Sequence, residues 1–233
     1  MREIVLDTET TGLDPYQGHR LIEIGCIELL NRIPSGQTYH CYVNPERDVP
    51  AEAFAVHGIS TEQLKDKPLF AEIADDLLTF IGEAPLIAHN AMFDLGFLNA
   101  ELERAGKGAV GRERLVDTLL LARRRHPGVS NRLDDLCVRY GIDNSRRTKH
   151  GALLDAELLA EVYLELIGAR QATLSLIDAN VTAGGVRTRV NAIYARTVAL
   201  PTRLTEDELV AHTAFIATLG EGAIWREYAN QPG

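Results

Sequence analysis

Near its start the chain reads Ile4-Val5-Leu6-Asp7-Thr8-Glu9-Thr10-Thr11-Gly12, an apolar run that ends in two acidic residues. The apolar run predicts a short buried strand, and the polar residues after it predict a turn. Side chains two apart on a strand point to the same face, so Asp7 and Glu9 project together from the strand end. Two neighbouring carboxylates repel each other, and a bound cation is the usual compensation. The segment predicts a metal site, although a solvated acidic turn is the alternative that this pair alone leaves open.

Size and composition indicate an ordinary globular protein. The 233 residues suffice for one sizeable core plus an extension, and the hydrophobic fraction of 45% is typical of globular chains. Because no apolar run is long enough to span a bilayer and the N-terminus lacks a signal peptide, we expect no membrane partner and a cytoplasmic location. The spacing of Cys26, Cys41 and Cys137 argues against a disulfide framework and against a zinc site.

The charge balance is acidic, with 24 Lys and Arg against 33 Asp and Glu and a net charge of −9. Such a balance is unfavourable for tight, autonomous binding to nucleic acid. Two local basic patches stand out, residues 123–126 together with Arg132, and residues 146–150. Runs of this kind are solvated surfaces by default. The second patch ends on His150, a candidate catalytic residue, which favours contact with a phosphate there.

Hydrophobic periodicity predicts an α/β fold with a mixed sheet flanked by helices. The predicted strands after the first one cover residues 21–30, 37–43, 85–89 and 114–116. The predicted helices cover residues 61–65, 70–81, 90–104, 119–125, 133–140 and 152–167, with Asn90 as the N-cap of the third. The composition changes near Gly168, and the small and polar residues 179–185 predict a flexible linker. Capping-box spacing from Thr205 to Glu208 predicts a further amphipathic helix in a small C-terminal unit.

Two later segments extend the acidic pattern. His89-Asn90-Ala91-Met92-Phe93-Asp94 places an Asp in the first turn of a helix, and His150-Gly151-Ala152-Leu153-Leu154-Asp155 places a His just before a helix that carries another Asp. Taken alone, each has an ordinary explanation, because acidic residues in a first turn complement the helix dipole and a histidine can serve as a cap. Their joint occurrence with Asp7 and Glu9 favours a functional interpretation over these ordinary explanations.

This order of motifs resembles the DEDDh family of 3′→5′ exonucleases, and the resemblance covers roughly residues 1–168. It implies a ribonuclease H-like fold with a mixed five-stranded sheet. It also implies that Asp7, Glu9 and Asp155 bind two divalent cations, Mg²⁺ or Mn²⁺, and that Asp94 completes the acidic set. By the same resemblance His150 is the general base that takes a proton from the attacking water, a role that suits a group titrating near neutrality.

The resemblance also implies a set of residues that hold the 3′-terminal nucleotide. Without it, Glu52 is an ordinary loop residue and His57 a core-facing histidine. Glu52 is expected to hydrogen-bond the 3′ hydroxyl, and Thr10 to meet the nucleotide through its backbone. The implied substrate-binding residues are Asp7, Glu9, Thr10, Glu52, Val56, His57, Phe93 and Asp155.

Within this family the chain resembles the proofreading subunits of bacterial DNA polymerase III. Gln171, Leu174 and Leu176 resemble a peptide that binds a sliding clamp, while Phe215 and Trp225 lie in a tail expected to dock on the polymerase. The resemblance implies an exonuclease domain over residues 1–169, a linker over 170–186 and a docking segment over 187–233. The implied partners are the DNA 3′ end, the alpha subunit of DNA polymerase III and the sliding clamp; a small theta-like subunit is left open.

Two alternatives remain open at this point. One is a stand-alone DEDDh ribonuclease or DNA-repair exonuclease with the same chemistry, which the clamp-like peptide and the docking tail argue against. The other is a catalytically silent scaffold that bridges clamp and polymerase. The presence of the expected residue type at all five catalytic positions argues against it.

Overall fold

The structure, a computed structural model, describes residues 1–169 and 205–219. The chain divides into two units, residues 1–175 and 176–233. The predicted clamp-binding residues Gln171, Leu174 and Leu176 and the predicted docking residue Trp225 lie outside the described residues. The predicted domain limits at residues 169 and 186 stay predictions.

The first unit is built on one mixed sheet of five strands in the order β3-β2-β1-β4-β5. Antiparallel pairing joins the first three strands, and β4 and β5 continue the sheet in parallel with β1. This architecture confirms the predicted fold. The strands are β1 (Arg2–Thr10), β2 (Leu21–Leu30), β3 (Ile33–Tyr42), β4 (Leu86–Ala88) and β5 (Leu115–Asp117).

The helices match the predicted positions closely, with one exception. α1 was not predicted, since residues 51–57 were interpreted as a loop; it begins after Pro50 and ends at Gly58, which adopts a left-handed conformation (φ 75°). The helices of the first unit are α1 (Ala51–His57), α2 (Thr61–Leu64), α3 (Phe70–Ile81), α4 (Ala91–Arg104), α5 (Thr118–Arg125), α6 (Leu133–Tyr140) and α7 (Ala152–Leu166).

Helices cover both faces of the sheet, so β1 is buried on both sides. Ile4 and Leu6 belong to a core with α3 and α4, whereas Val5, which points the other way, belongs to a core with α6 and α7. The same alternation continues to the end of the strand. Thr8 therefore faces the α4 side, while Asp7 and Glu9 face α7.

A glycine in β2 lets α7 approach the sheet. Gly25 pairs with Asp7 across β1 and β2. A Cβ atom at Gly25 would lie 2.3 Å from the backbone C of Ala152 and 2.3 Å from the backbone N of Leu153. The first turn of α7, which carries Asp155, thus rests directly on the backbone opposite Asp7.

Gly25→Ala is therefore expected to displace α7 and to reduce nuclease activity by shifting Asp155. Overpacking of this kind costs about 1–3 kcal/mol of unfolding free energy, which urea denaturation measures. The matched control is Gly96→Ala in α4, where a Cβ atom meets nothing within 4 Å. This control is expected to gain about 0.5–1 kcal/mol from helix propensity. Equal stability and activity in both variants would contradict the packing argument.

The turn before α4 departs from the predicted capping. Asn90 occupies the N-cap position, but it adopts a left-handed conformation (φ 69°) and its side chain makes no capping hydrogen bond. Asn is among the non-glycine residues that enter this region most readily. Its role is thus to reverse the chain after β4, which brings Phe93 and Asp94 to the end of the sheet.

In the second unit the structure describes one helix, α8 (Glu206–Thr218). The predicted capping box is confirmed, since Thr205 Oγ1 accepts from Glu208 N and the Glu208 side chain accepts from Thr205 N. Phe215 on this helix is 60% exposed. No helix among residues 1–169 and 205–219 is long and apolar enough to cross a membrane.

Candidate active site

The four predicted acidic residues meet in one cleft at the end of β1. Asp7 and Glu9 come from the strand itself, Asp94 from the first turn of α4 on one face of the sheet, and Asp155 from the first turn of α7 on the other face. Thr8 Oγ1 donates to Asp94 Oδ1 at 2.7 Å, which links the strand to α4. The cleft has a volume of about 1260 Å³ and is also lined by His150.

Burial and mutual repulsion disfavour the charged forms of these carboxylates. Burial raises the pKa of Asp7 well above its ordinary value, and the charges of Asp94 and Glu9 raise it further. Burial, followed by the Asp155 charge, raises the pKa of Glu9 to about 8. Burial raises the pKa of Asp94 to about 7, although the hydrogen bond from Thr8 opposes the shift. A bound cation would relieve this repulsion and stabilise the charged forms of the carboxylates, so the electrostatics of the site favour cation binding.

In the metal-free protein these shifts predict a loss of stability as the pH rises. The folded pKa values of Glu9 (about 8) and Asp94 (about 7) lie above the ordinary values of 4.5 and 3.8. Folding therefore takes up protons between these limits, and the stabilisation present at mildly acidic pH is lost as the pH rises through the folded values. Denaturation in a chelator from pH 4 to 8 measures this trend. Glu9→Gln should flatten it, and an equally steep trend in that variant would contradict the assignment.

His150 lies on the loop before α7, and this loop is tied to α1. Lys149 Nζ donates to Ala55 O at 2.6 Å, and His150 N donates to Val56 O at 3.4 Å. The His150 side chain is 48% exposed, and its Nδ1 lies 3.6 Å from Asp155 Oδ2. Burial and the Arg147 charge lower the pKa of His150. The imidazole is thus neutral near physiological pH and can accept a proton.

The donor set fits a divalent cation. Among the described residues, one group of three candidate ligand atoms lies within 4.8 Å of one another, from Glu9, His150 and Asp155. Asp7 and Asp94 supply further carboxylate oxygens to the same cleft. Carboxylate-rich sets suit hard cations such as Mg²⁺ and Mn²⁺.

The sequence interpretation missed two residues that contact the first turn of α7, and Glu23 is the first of them. Glu23 in β2 accepts from Ala152 N at 3.1 Å and lies 2.7 Å from His40 Nε2, so it caps α7 from the sheet. Glu23 also pairs with Glu9 across β1 and β2. The sequence signal that could have revealed it was an acidic residue among the apolar residues of β2, a strand that also holds Glu28.

Arg147 is the second missed residue. Arg147 does not fit the phosphate contact that was predicted for residues 146–150. Its side chain is only 6% exposed and forms ion pairs with Asp134 and Asp155. Arg146, its neighbour, is 72% exposed. The sequence showed the basic patch but not which of its members turns inward.

The predicted substrate residues line one arm of the cleft. α1 contributes Glu52, Val56 and His57. His57 is buried; its Nδ1 accepts from Ile59 N at 3.0 Å, and its Nε2 has no hydrogen-bond partner among the described residues. The remaining predicted residues of this arm are Thr10, whose Oγ1 donates to Gly12 O at 2.6 Å, and Phe93, whose ring centroid lies 5.1 Å from that of Phe97.

The other arm of the cleft is lined by residues of α5 and of the loop that follows it. Arg123, Val129 and Arg132 line this arm. His89 fixes the loop, since its Nδ1 lies 2.9 Å from Thr118 Oγ1 and its Nε2 lies 2.9 Å from Asn131 O. Two exposed guanidinium groups of the first basic patch therefore border the cleft.

Comparison with known proteins agrees with this geometry. The family described as Exonuclease matches residues 4–163. DNA polymerase III subunit epsilon of Rickettsia felis is 48% identical over 222 residues, which cover 94% of this chain and 97% of that protein. A structure of exonuclease X in complex with 5′ overhanging duplex DNA has a TM-score of 0.55 and 25% identity and covers 71% of this chain and 91% of that chain.

A second solved structure, the zinc-bound complex of Escherichia coli exonuclease I with single-stranded DNA, has a TM-score of 0.62. At 20% identity, over 73% of this chain and 41% of that chain, it supports the fold alone. The family match and the similarity to the Rickettsia felis epsilon subunit determine the family to which the chain belongs. The chain therefore belongs to the exonuclease family and, within it, to the group of DNA polymerase III epsilon subunits.

Proposed function

We propose that this chain is the proofreading 3′→5′ exonuclease of a bacterial replicative DNA polymerase. It would remove mispaired 3′-terminal nucleotides as deoxynucleoside monophosphates. The observation that carries the proposal is the convergence of Asp7, Glu9, Asp94 and Asp155 beside His150 in one cleft. Exonucleases of this fold use divalent metal ions, and the buried carboxylates are suited to hold them.

The proposed cations are two Mg²⁺ or Mn²⁺ ions, held by Asp7, Glu9 and Asp155 with Asp94 completing the acidic set. When bound, they supply activation of the attacking water and charge stabilisation of the leaving 3′ oxygen. His150 takes the proton from that water, for which its lowered pKa keeps the imidazole neutral. Glu9, Asp94 and Asp155 are themselves buried, which strengthens the electrostatic interactions of their carboxylates.

The 3′-terminal nucleotide is proposed to occupy the arm beside α1. Val56 and Phe93 offer apolar surface to the base and sugar, and Glu52 can accept a hydrogen bond from the 3′ hydroxyl. The His57 ring borders the same arm, where the hydrogen bond from Ile59 N to its Nδ1 fixes its orientation. A pocket of this kind admits an unpaired end. Mispaired termini reach it more readily, because a mismatch lowers the cost of unpairing.

We propose that the rest of the strand runs from the scissile phosphate along the part of the cleft bordered by Arg123 and Arg132. Exposed guanidinium groups at this position can contact backbone phosphates without reading sequence. The first basic patch, which by default is a solvated surface, thus supplies local positive charge in a chain whose net charge is −9.

Arg123→Gln with Arg132→Gln is expected to weaken binding of a single-stranded oligonucleotide and to reduce its salt dependence. Each lost phosphate contact should lower the slope of log affinity against log salt by about 0.7. Fluorescence anisotropy with Ca²⁺ in place of the catalytic metal measures this slope. Arg124→Gln is the matched control, an exposed arginine of the same helix outside the cleft lining. Unchanged slopes in the double variant would contradict the proposed strand path.

Partners are proposed to hold the enzyme near the primer end. The candidates are the alpha subunit of DNA polymerase III, the sliding clamp through Gln171, Leu174 and Leu176, and a theta-like subunit. Phe215 supports a docking role for the C-terminal segment, because a large exposed apolar side chain on α8 is a natural interface anchor. Trp225 is proposed to act with it. Tethering supplies a high effective concentration, so the acidic chain does not need tight DNA binding of its own.

The proposed function is tested with the full chain and 5′-labelled single-stranded DNA. We expect a ladder that shortens from the 3′ end with Mg²⁺ or Mn²⁺ and disappears with a chelator. A primer–template with a mismatched 3′ end should be shortened faster than its matched counterpart. A labelled RNA of the same sequence tests the ribonuclease alternative. No ladder with either metal would favour the silent scaffold.

A further inference from the structure

The guanidinium of Arg147 is buried against the carboxylate cluster. Its Nε and Nη2 donate to Oδ1 and Oδ2 of Asp155 at 2.6 and 2.7 Å, and its Nη1 donates to Oδ2 of Asp134 at 2.6 Å. Two parallel bonds between a guanidinium and a carboxylate form one of the strongest ion-pair geometries in proteins. Both oxygens of Asp155, a proposed metal ligand, are therefore engaged by an internal cation.

The same guanidinium also engages the proposed base. Arg147 Nη2 lies 3.0 Å from His150 Nδ1. A guanidinium can only donate, so Nδ1 is the acceptor and the neutral ring carries its proton on Nε2. In this arrangement one ring nitrogen has its lone pair engaged and the other is protonated.

A divalent cation on Asp155 must come within about 2.0–2.6 Å of one of its oxygens. The cation would then lie beside the buried positive charge of Arg147, so the two compete for Asp155. Asp134 is exposed at the cleft rim, and its bond to Nη1 does not involve the cluster. Asp134 can keep its hydrogen bond to the guanidinium when the ion pair between Arg147 and Asp155 breaks.

We propose that Arg147 is a built-in counter-cation that the divalent metal displaces from Asp155. Before metal binds, it holds Asp155 and His150 in a resting arrangement. When metal binds, the guanidinium gives up Asp155 and stays with Asp134. Arg147 is thus a positioning residue that competes with the metal for Asp155. This inference rests on the proposed metal-dependent function.

Mn²⁺ and Mg²⁺ binding to the metal-free full chain, measured by titration calorimetry, tests the competition without relying on activity. Arg147→Gln removes the competitor and is expected to bind metal about tenfold more tightly, which lies within the usual range for one bound charge that opposes another. Arg146→Gln is the matched control, because it removes the same charge from an exposed neighbour whose Nη2 is 3.4 Å from Glu157 Oε2. It should leave the affinity nearly unchanged.

A purely structural role for Arg147 would give the opposite sign, since a distorted site binds metal more weakly. Wild-type or weaker affinity in folded Arg147→Gln would overturn the proposal. Should that variant fail to fold, Arg147→Lys keeps the charge but cannot form the two-bond pair. It is expected to bind metal more tightly than the wild type, and affinity that is unchanged or weaker would overturn the proposal. A wild-type chain that binds neither ion would overturn the proposed function together with this inference.

Discussion

Asp7→Asn is expected to lower metal-dependent cleavage by at least about a thousandfold, because charge stabilisation by bound metal supplies a large part of the rate. The same substitution should leave the metal-free protein folded and raise its melting temperature. Asp7 is held in a buried site where Asp94 and Glu9 disfavour its charge, so a neutral amide of the same shape relieves repulsion. Cleavage of labelled DNA and thermal melts in a chelator measure the two effects.

A matched control distinguishes the loss of a carboxylate in the site from the loss of a carboxylate elsewhere on the surface. Glu83→Gln removes one exposed carboxylate outside the cleft, and it should change neither cleavage nor the melting temperature by much. Strong destabilisation of metal-free Asp7→Asn would show that the carboxylate stabilises the fold through contacts, which would contradict the repulsion argument. Residual cleavage near the wild-type level would remove Asp7 from the proposed set of metal ligands.

His150→Ala is expected to slow cleavage by about 10²–10⁴-fold, the usual contribution of a general base. The carboxylates Asp7, Glu9 and Asp155 remain, so metal affinity should fall far less than the rate. Because the His150 side chain is half exposed at the cleft, free imidazole should enter the vacated space and restore part of the activity. Single-turnover cleavage and calorimetric metal titration measure the two quantities on the same preparation.

The structure also brings His150 within 4.8 Å of candidate ligand atoms of Glu9 and Asp155, which makes this comparison decisive. Parallel losses of metal affinity and rate, without rescue by imidazole, would identify His150 as a ligand instead of a base. A large loss of rate with metal affinity retained would support the proposed role.

The sequence predicted the features that depend on local pattern. The apolar run before Asp7 predicted the central strand, and helical periodicity predicted α3, α4, α6 and α7 within a residue or two of their bounds. The spacing of Asp7 and Glu9 predicted their shared face, because alternation along a strand is fixed by covalent geometry. These predictions needed no knowledge of the partners that each element packs against.

The features that depend on tertiary contacts were not predictable in this way. Which arginine of residues 146–150 turns inward depends on where Asp134 and Asp155 lie in the folded chain. The capping of α7 by Glu23 joins residues that are remote in sequence. α1 was missed because it is one short element that follows Pro50 and packs on the His150 loop, and local periodicity is weak over seven residues.

The packing of α7 against Gly25 has a consequence for the order in which the site is assembled during synthesis. The last elements needed for the proposed chemistry, the His150 loop and the first turn of α7, follow all five strands in the chain and are therefore synthesised after them. A nascent or truncated chain that ends before His150 lacks both the proposed base and one of the proposed metal ligands, Asp155, even if its strands have paired. A nuclease assembled in this order lacks a complete site until Asp155 has been synthesised. Displacement of α7 from the sheet would likewise remove Asp155 from the site.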